Sequence, residues 1–306
     1  MEGKIRFAPS PTGYLHEGHL LSALYVWAAA RKWGLQIHLR IEDHDQGRAR
    51  PEYIDSIYED LEWFGFRWDS QSIQSTRTAL YEAALEGLQK KGLVYPCYCS
   101  RKQLEAENPK SETGEIVYRG KCFLRHTETL HSKARTSMDT LVASRLRCDE
   151  QPHNLRIVIP DKVIHWHDMR LGDFNENPKL QCGDFPIRDR EGQWTYQFAV
   201  CVDDIEEGIT HIVRGDDIRS STARQIALMR LLGRETPPLY LHHPLIVDPA
   251  GKKLSKRERA HSLRQDRDAG ITAGEILGRV CHKAGFLPNS TPLSLENAIS
   301  IVEQSL

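Results

Sequence analysis

The chain has 306 residues, 40% hydrophobic and 27% charged, with 41 Lys and Arg against 42 Asp and Glu. At about 150 residues per domain, that length allows two domains or one large domain with insertions, with a real core and no need of disulfides. A formal net charge of −1 excludes a generally basic nucleic-acid coat and a polyacidic tail, so any RNA must be held by local basic patches.

No run of about 18 apolar residues marks a membrane span. The N-terminal MEGKIRFAPSP lacks the apolar stretch of a secretory signal. Seven cysteines, an odd number in a long chain, point to a reducing compartment with thiols free or on metal. The expected location is the cytoplasm, with no membrane partner.

Residues 4–8 read as a short strand that runs into Pro9, Pro11 and Gly13, where two fixed φ angles and a permissive glycine make a sharp turn. Residues 18–33 form an apolar, Ala-rich helix that Gly34 ends. Residues 35–42 read as a strand, and Ile54, Ile57, Leu61 and Phe64 mark a helix after Pro51. This β-α-β-α order predicts an α/β fold with a doubly wound parallel sheet. A third helix covers 76–91 and stops at Gly92. Residues 95–125 hold three cysteines and few periodic apolar positions, and 126–150 are polar. Strand patterning resumes at 155–159, 163–167, 194–203 and 209–213. Residues 219–232 read as a helix, the apolar run 239–247 precedes DPAGKKLSKR, and 261–306 read as short helices.

The segments with chemistry are ambiguous one at a time. His16 and His19, in HEGH, follow the Pro/Gly turn at a helix start. The free N–H groups and partial positive charge there suit phosphate. With 14 histidines in the chain, an HxxH spacing carries little weight alone, and taken alone it reads as a plain surface helix cap. The lysines of KKLSKR, 252–257, suit neutralisation of charge at a phosphorus undergoing displacement; a lone basic run is ordinarily a solvated loop. Glu42 and Asp43 read as a solvated strand end, and Tyr196 as a core aromatic on a strand. Cys97, Cys99 and Cys122 have a spacing that can close a zinc site given a fourth ligand; buried free thiols fit as well. Cys148, Cys182, Cys201 and Cys281 lack such spacing and read as buried or incidental thiols.

In combination the ambiguity falls. RFAPSPTGYLHEGH, LRIED, VRGDDI and KLSKR, in that order, resemble the class I glutamyl-tRNA synthetase family over most of residues 4–95 and 180–285. The resemblance implies a Rossmann-like catalytic domain from 1–94 and 196–247. HEGH and KLSKR stand where that family's HIGH-like and KMSKS-like motifs bind ATP with Mg2+ and promote attack of a carboxylate on its α-phosphate. The second motif departs from the family wording at Leu254 and Arg257 but keeps Lys256. His16, His19 and Lys256 are therefore the implied catalytic groups, joined in ATP binding by Pro9, Gly18 and Lys253. By the same resemblance Arg6, Phe7, Ala8, Pro9 and Ser10 cradle L-glutamate, with Arg6 facing its side-chain carboxylate. Glu42 takes the amino group; Tyr196 and Arg214 make the other contacts. The residue types suit the task, since Arg recognises carboxylates in a planar, bidentate way.

A short form of the family, the glutamyl-queuosine tRNA(Asp) synthetases, carries Cys, Cys, Tyr and Cys as a zinc site. Here YRGKC places Tyr118 and Cys122 with Cys97 and Cys99, which implies one structural Zn2+ in an inserted acceptor-binding domain at 95–195. His126 and His131 are the fallback ligands. Residues 248–306 would carry the KMSKS-like loop and helices that contact an RNA stem. Only 49 residues follow Arg257, too few for another ordinary domain, so no anticodon-binding domain is expected. The expected partners are ATP, L-glutamate and the anticodon stem-loop of tRNA(Asp) bearing queuosine, and the chain is expected to be a monomer. Two stretches suit RNA phosphates: 119–147 and 252–267 each hold seven Lys/Arg against two Asp/Glu. Two rival readings stay open: a truncated synthetase charging a tRNA 3′ end, and a catalytically silent paralogue that binds RNA or amino acid.

Overall fold

The computed structural model describes residues 3–124, 152–246 and 261–306. Lys253, Lys256, His126, His131, Cys148 and most of both basic stretches lie outside the described residues.

The first half-unit is β1 (Lys4–Phe7), α1 (Glu17–Trp33), β2 (Gln36–Ile41), α2 (Pro51–Phe64) and β3 (Ser70–Ile73). Local chemistry sets these limits. Pro51 opens α2, and Gly34 ends α1 at φ 64°, a left-handed conformation that disfavours other residues. A 3-10 turn, Gln74–Arg77, leads into α3 (Thr78–Lys90).

Seven strands form the main sheet, in the order β3-β2-β1-β9-β10-β6-β7, with β6 at Ile164–Asp168, β7 at Gly172–Glu176, β9 at His211–Gly215 and β10 at Leu239–His243. Pairing is parallel throughout except for β7, which runs antiparallel at the edge. Both faces are covered. Ile212 and Tyr240 belong to one buried core, while their strand neighbours Val213 and Leu241 belong to the other. Adjacent strand residues point to opposite faces, so a doubly wound α/β sheet follows. The chain moves outward from β1 to β2 and β3, and then returns to β1's other side as β9. The switch point lies between β1 and β9, where such sheets place their ligands.

A second, antiparallel sheet holds β4 (Val94–Cys97), β5 (Asn154–Ile157) and β8 (Pro186–Arg188). It carries the cysteine-rich segment, within the 95–195 insertion. The hairpin β6–β7 also falls within 95–195, yet it extends the main sheet from β10. The sequence boundary at 195 therefore does not follow the edge of the main sheet.

Residues 194–203, expected as a strand, instead enter a helix, Tyr196–Glu206. Every position from Phe198 to Asp204 is buried, so the helix shows no polar face, and a short apolar run does not reveal its period. The 219–232 helix begins later than expected: a 3-10 turn, Asp216–Ser221, precedes the α-helix Thr222–Leu231. Strand β3 (SQSI) has too few apolar residues to show in sequence.

Candidate active site and candidate metal centre

A cavity of about 450 Å3 opens at the carboxyl ends of β1, β2 and β9. Arg6, Phe7, Ala8 and Pro9 line it from β1 and the turn beyond; Glu42 lines it from the end of β2. The amide of Glu42 donates to the Pro9 carbonyl at 3.0 Å, which ties the turn to β2. Tyr196, at the first turn of its helix, and Arg214, on β9, complete the amino-acid set. Ser10 does not line the cavity; its carbonyl accepts from the Thr12 amide at 2.9 Å within the turn.

His16, Gly18 and His19 line the same cavity. His16 is the N-cap of α1, and its Nδ1 accepts from the Gly18 amide at 3.1 Å. The Nδ1 of His19 accepts from the His16 amide at 3.2 Å, closing a reciprocal cap. The two readings of HEGH thus hold together, as helix cap and as cavity wall. Because both Nδ1 atoms accept, each neutral ring carries its proton on Nε2. A tautomer fixed in this way is a ready donor to phosphate oxygens.

Glu17 sits inside this motif, and sequence reasoning passed over it. It is buried, and takes Arg279 and Lys283 at 2.6 Å each from the helix Ala273–Lys283. A carboxylate in the first turn is favourable with the positive end of α1, and the two cations balance its buried charge. Beside it, Ser262 bridges to His16, and the Leu263 amide donates to the Leu15 carbonyl at 2.9 Å. The segment that follows KLSKR is therefore fastened to the HEGH turn.

The charges in the cavity have a pattern. Arg6 and Arg214 are buried cations, each 5% exposed or less. Burial raises the Glu42 carboxyl, and Arg40 and Arg6 offset this. Burial also raises the Tyr196 hydroxyl, keeping it a donor. Two cations, one carboxylate and one phenol match a small molecule with two carboxylates and an ammonium.

Behind Glu42 lies a buried ion network. Arg40, with no exposed surface, reaches Asp204 at 2.8 Å, Glu207 at 2.8 Å and Glu42 at 3.3 Å. Asp204 also takes Arg6 at 3.2 Å, so one carboxylate fixes both Arg6 and the holder of Glu42. Burial alone would raise Glu207; its hydrogen bond with His38 and the charge of Arg40 bring it down to about 2. Asp43 accepts from the Ser75 amide at 2.8 Å, so the acid after Glu42 caps a turn and is not a solvated strand end.

Cys97 and Cys99 meet Cys122, 23 residues beyond Cys99 in sequence, with the three sulfurs within 4.8 Å of one another and all three buried. The Tyr118 hydroxyl lies 3.6 Å from Cys97 Sγ and 3.9 Å from Cys99 Sγ. The approach needs Gly183. A Cβ there would meet the Tyr118 carbonyl at 2.0 Å, and its φ is +65°. Burial pushes the Cys99 thiol up to about 12, helped by its bond to Cys122. Burial opposes the Cys122 thiolate too, but hydrogen bonds from Tyr118 and the Tyr98 amide carry that thiol below its ordinary value. Thiols this close favour the thiolate together around a cation, so the donor set fits zinc. Cys182, Cys201 and Cys281 are buried and lie outside this cluster, as the spacing indicated.

A family model for tRNA synthetases class I (E and Q), catalytic domain, matches residues 3–291. A glutamyl-Q tRNA(Asp) synthetase from Nitratidesulfovibrio vulgaris is 36% identical over 97% of this chain and 91% of its own. One from Geobacter sulfurreducens is 39% identical over 96% of this chain and 87% of its own. A glutamate-tRNA synthetase structure from Elizabethkingia anophelis superposes with a TM-score of 0.74 at 26% identity, covering 99% of this chain and 66% of that one. The chain belongs to the class I synthetase family for glutamate and glutamine, as an aminoacyl-tRNA synthetase-like ligase. Within that family it groups with the glutamyl-Q tRNA(Asp) synthetases. No helix among the described residues is long and apolar enough to cross a membrane.

Proposed function

We propose that the protein activates L-glutamate with Mg2+ and ATP to a glutamyl-adenylate, and transfers the glutamate to the queuosine base in the anticodon of tRNA(Asp). The observation that carries the first step is the single cavity shared by Arg6, Glu42, Tyr196, Arg214 and the HEGH helix start. The two arginines and Tyr196 hold the carboxylates, and Glu42 takes the ammonium. His16 and His19 donate from Nε2 to the phosphates, and Pro9 and Gly18 let the nucleotide approach closely. The α-carboxylate then attacks the α-phosphorus in line, and pyrophosphate leaves. The protein forms no covalent bond; it positions the reactants and stabilises charge. Lys253 and Lys256 supply further positive charge in this reading. The second step rests on the similarity to the glutamyl-Q tRNA(Asp) synthetases. The protein acts as a monomer in the cytoplasm.

Exchange of pyrophosphate into ATP should need only enzyme, ATP, magnesium and glutamate, because Arg6, Glu42, Tyr196 and Arg214 all line that one cavity. Exchange that appears only after RNA is added would count against the reading. Absence of exchange under all conditions would favour a silent paralogue. Lys256→Ala should slow exchange by on the order of 10²- to 10³-fold, the usual cost of one contact to transition-state charge.

Cys97, Cys99, Cys122 and Tyr118 hold one structural zinc in this reading. The cluster is the centre of a small core with Tyr95, and few other apolar groups support that lobe. Metal binding there contributes folding free energy directly. Purified protein should carry one zinc per chain, and Cys97→Ser and Cys122→Ser should each lose it. Both variants retaining full zinc by elemental analysis would refute the ligand set. Tyr118→Phe separates a phenolate ligand from a hydrogen-bonding neighbour.

A further inference from the structure

Arg214 is a buried cation whose direct partners are all neutral. Its Nε donates to His242 Nε2 at 3.0 Å, one Nη to Gln225 Oε1 at 2.6 Å and the other to Thr222 Oγ1 at 2.7 Å. No carboxylate among the described residues forms an ion pair with it. Arg6, by contrast, touches Asp204 directly. The nearest counter-charge to Arg214 on this chain of contacts is one ring further on. His242 Nδ1 lies 2.6 Å from Asp168 Oδ2, and neither residue has exposed surface.

Hydrogen-bond chemistry fixes the protons. A guanidinium only donates, so His242 Nε2 must accept and carry no proton. The Asp168 carboxylate takes four hydrogen bonds: Oδ1 accepts from the amides of Arg170 at 3.0 Å and Leu171 at 2.9 Å, and Oδ2 from the amide and Nδ1 of His242. An oxygen pair saturated with donors is ionised. His242 is therefore neutral, with its proton on Nδ1. The other groups around it agree: Thr222 Oγ1 lies 3.2 Å from Nε2, and Trp166 and Tyr240 present rings. Burial lowers the His242 imidazole, against its bond to Asp168.

We propose that Asp168 and His242 are positioning residues for Arg214, holding its guanidinium charged and aimed while keeping its counter-charge one imidazole away from the cavity. A carboxylate in direct contact would occupy the N–H groups that a ligand needs. With the ring interposed, Arg214 keeps two of its five N–H groups for a ligand carboxylate. The proposal rests on the reading of the cavity as a glutamate site, and names two determinants of its preference for glutamate over glutamine. Neither residue lies in a sequence motif; strand order brings β6 and β10 together.

The test has two arms. In the first, imidazole 15N shifts of the wild-type protein should show His242 neutral with the proton on Nδ1 from about pH 5 to about pH 8. A proton on Nε2 overturns the relay whatever the substrate is. In the second, exchange kinetics are measured for Asp168→Asn and His242→Leu with glutamate and with glutamine. The KM for glutamate should rise on the order of 10- to 100-fold, and the glutamate:glutamine ratio in kcat/KM should fall by a similar factor. The KM for ATP should stay within about twofold, which a general loss of structure would not permit. His242→Gln, which restores an acceptor towards Arg214, should regain part of the ratio. A wild type that prefers glutamate, with variants that keep the ratio, sinks the relay alone. A wild type without preference for glutamate sinks the site reading and the specificity role together.

Discussion

Asp204→Ala should abolish measurable glutamate activation and lower stability by about 3–5 kcal/mol. The carboxylate is 1% exposed and is shared by Arg6 and Arg40. Its removal leaves one guanidinium without its carboxylate partner and another short of one, both of them buried. Arg40 keeps Glu42 and Glu207, so the fold should survive. Arg6 has no second ion pair among the described residues; its remaining hydrogen bond is to the Val213 carbonyl at 3.4 Å. It should swing out of register, and with it the recognition of a carboxylate. Asp204→Asn keeps one acceptor and the volume, so its loss of stability should be smaller, while activation should still fall. Urea unfolding and pyrophosphate exchange, measured on the same samples, separate the two effects. A loss below about 1 kcal/mol for the alanine variant would show that the network is not what holds this end of the sheet.

The parts of the molecule that sequence discloses are those whose cause is local. Pro51 and Gly34 punctuate α2 and α1 whatever surrounds them. Cys97, Cys99 and Cys122 carry their meaning in their spacing. The candidate site residues were legible through motifs, and the structure brings most of the described ones to one cavity. Among the described residues Ser10 does not line it; its carbonyl accepts from the Thr12 amide within the turn. What stayed hidden depends on distant partners. Arg40 and Asp204 are 164 residues apart, and Asp168 and His242 are 74 apart. The second pair exists because strand order sets β6 beside β10, and the first because the helix Tyr196–Glu206 comes against β2. The helix at 196–206 was hidden for a different reason: it is buried all round, so its period never appears as alternation of polar and apolar residues. Gly183 gave no signal either, since its need for a bare Cα comes from the Tyr118 carbonyl across the lobe.

An isolated anticodon stem-loop of tRNA(Asp) bearing queuosine should be glutamylated, and the same stem-loop bearing guanosine should not. The expected difference is on the order of 10⁴-fold, because the second substrate lacks the nucleophile and not merely a contact. In the proposed reaction a hydroxyl attacks the glutamyl-adenylate held in the cavity. In a charging enzyme that hydroxyl belongs to a terminal ribose; in this proposal the cyclopentene ring of queuosine offers it. A hairpin loop presents an unstacked base to a cleft much as a single-stranded end does. The insertion that carries the small β4-β5-β8 sheet would receive it, with the stem lying towards the helices after residue 261. Those helices are pinned to the HEGH turn through Glu17, so a stem docked on them has a fixed relation to the adenylate. The body of the tRNA beyond the anticodon arm then has no role in catalysis. Periodate cleaves a vicinal diol, so treating the free stem-loop first should block incorporation. Full-length tRNA(Asp) with queuosine should accept one glutamate whether or not its 3′ CCA end is intact. Glutamate found on the 3′ end, with the queuosine untouched, would assign the protein to 3′ charging instead.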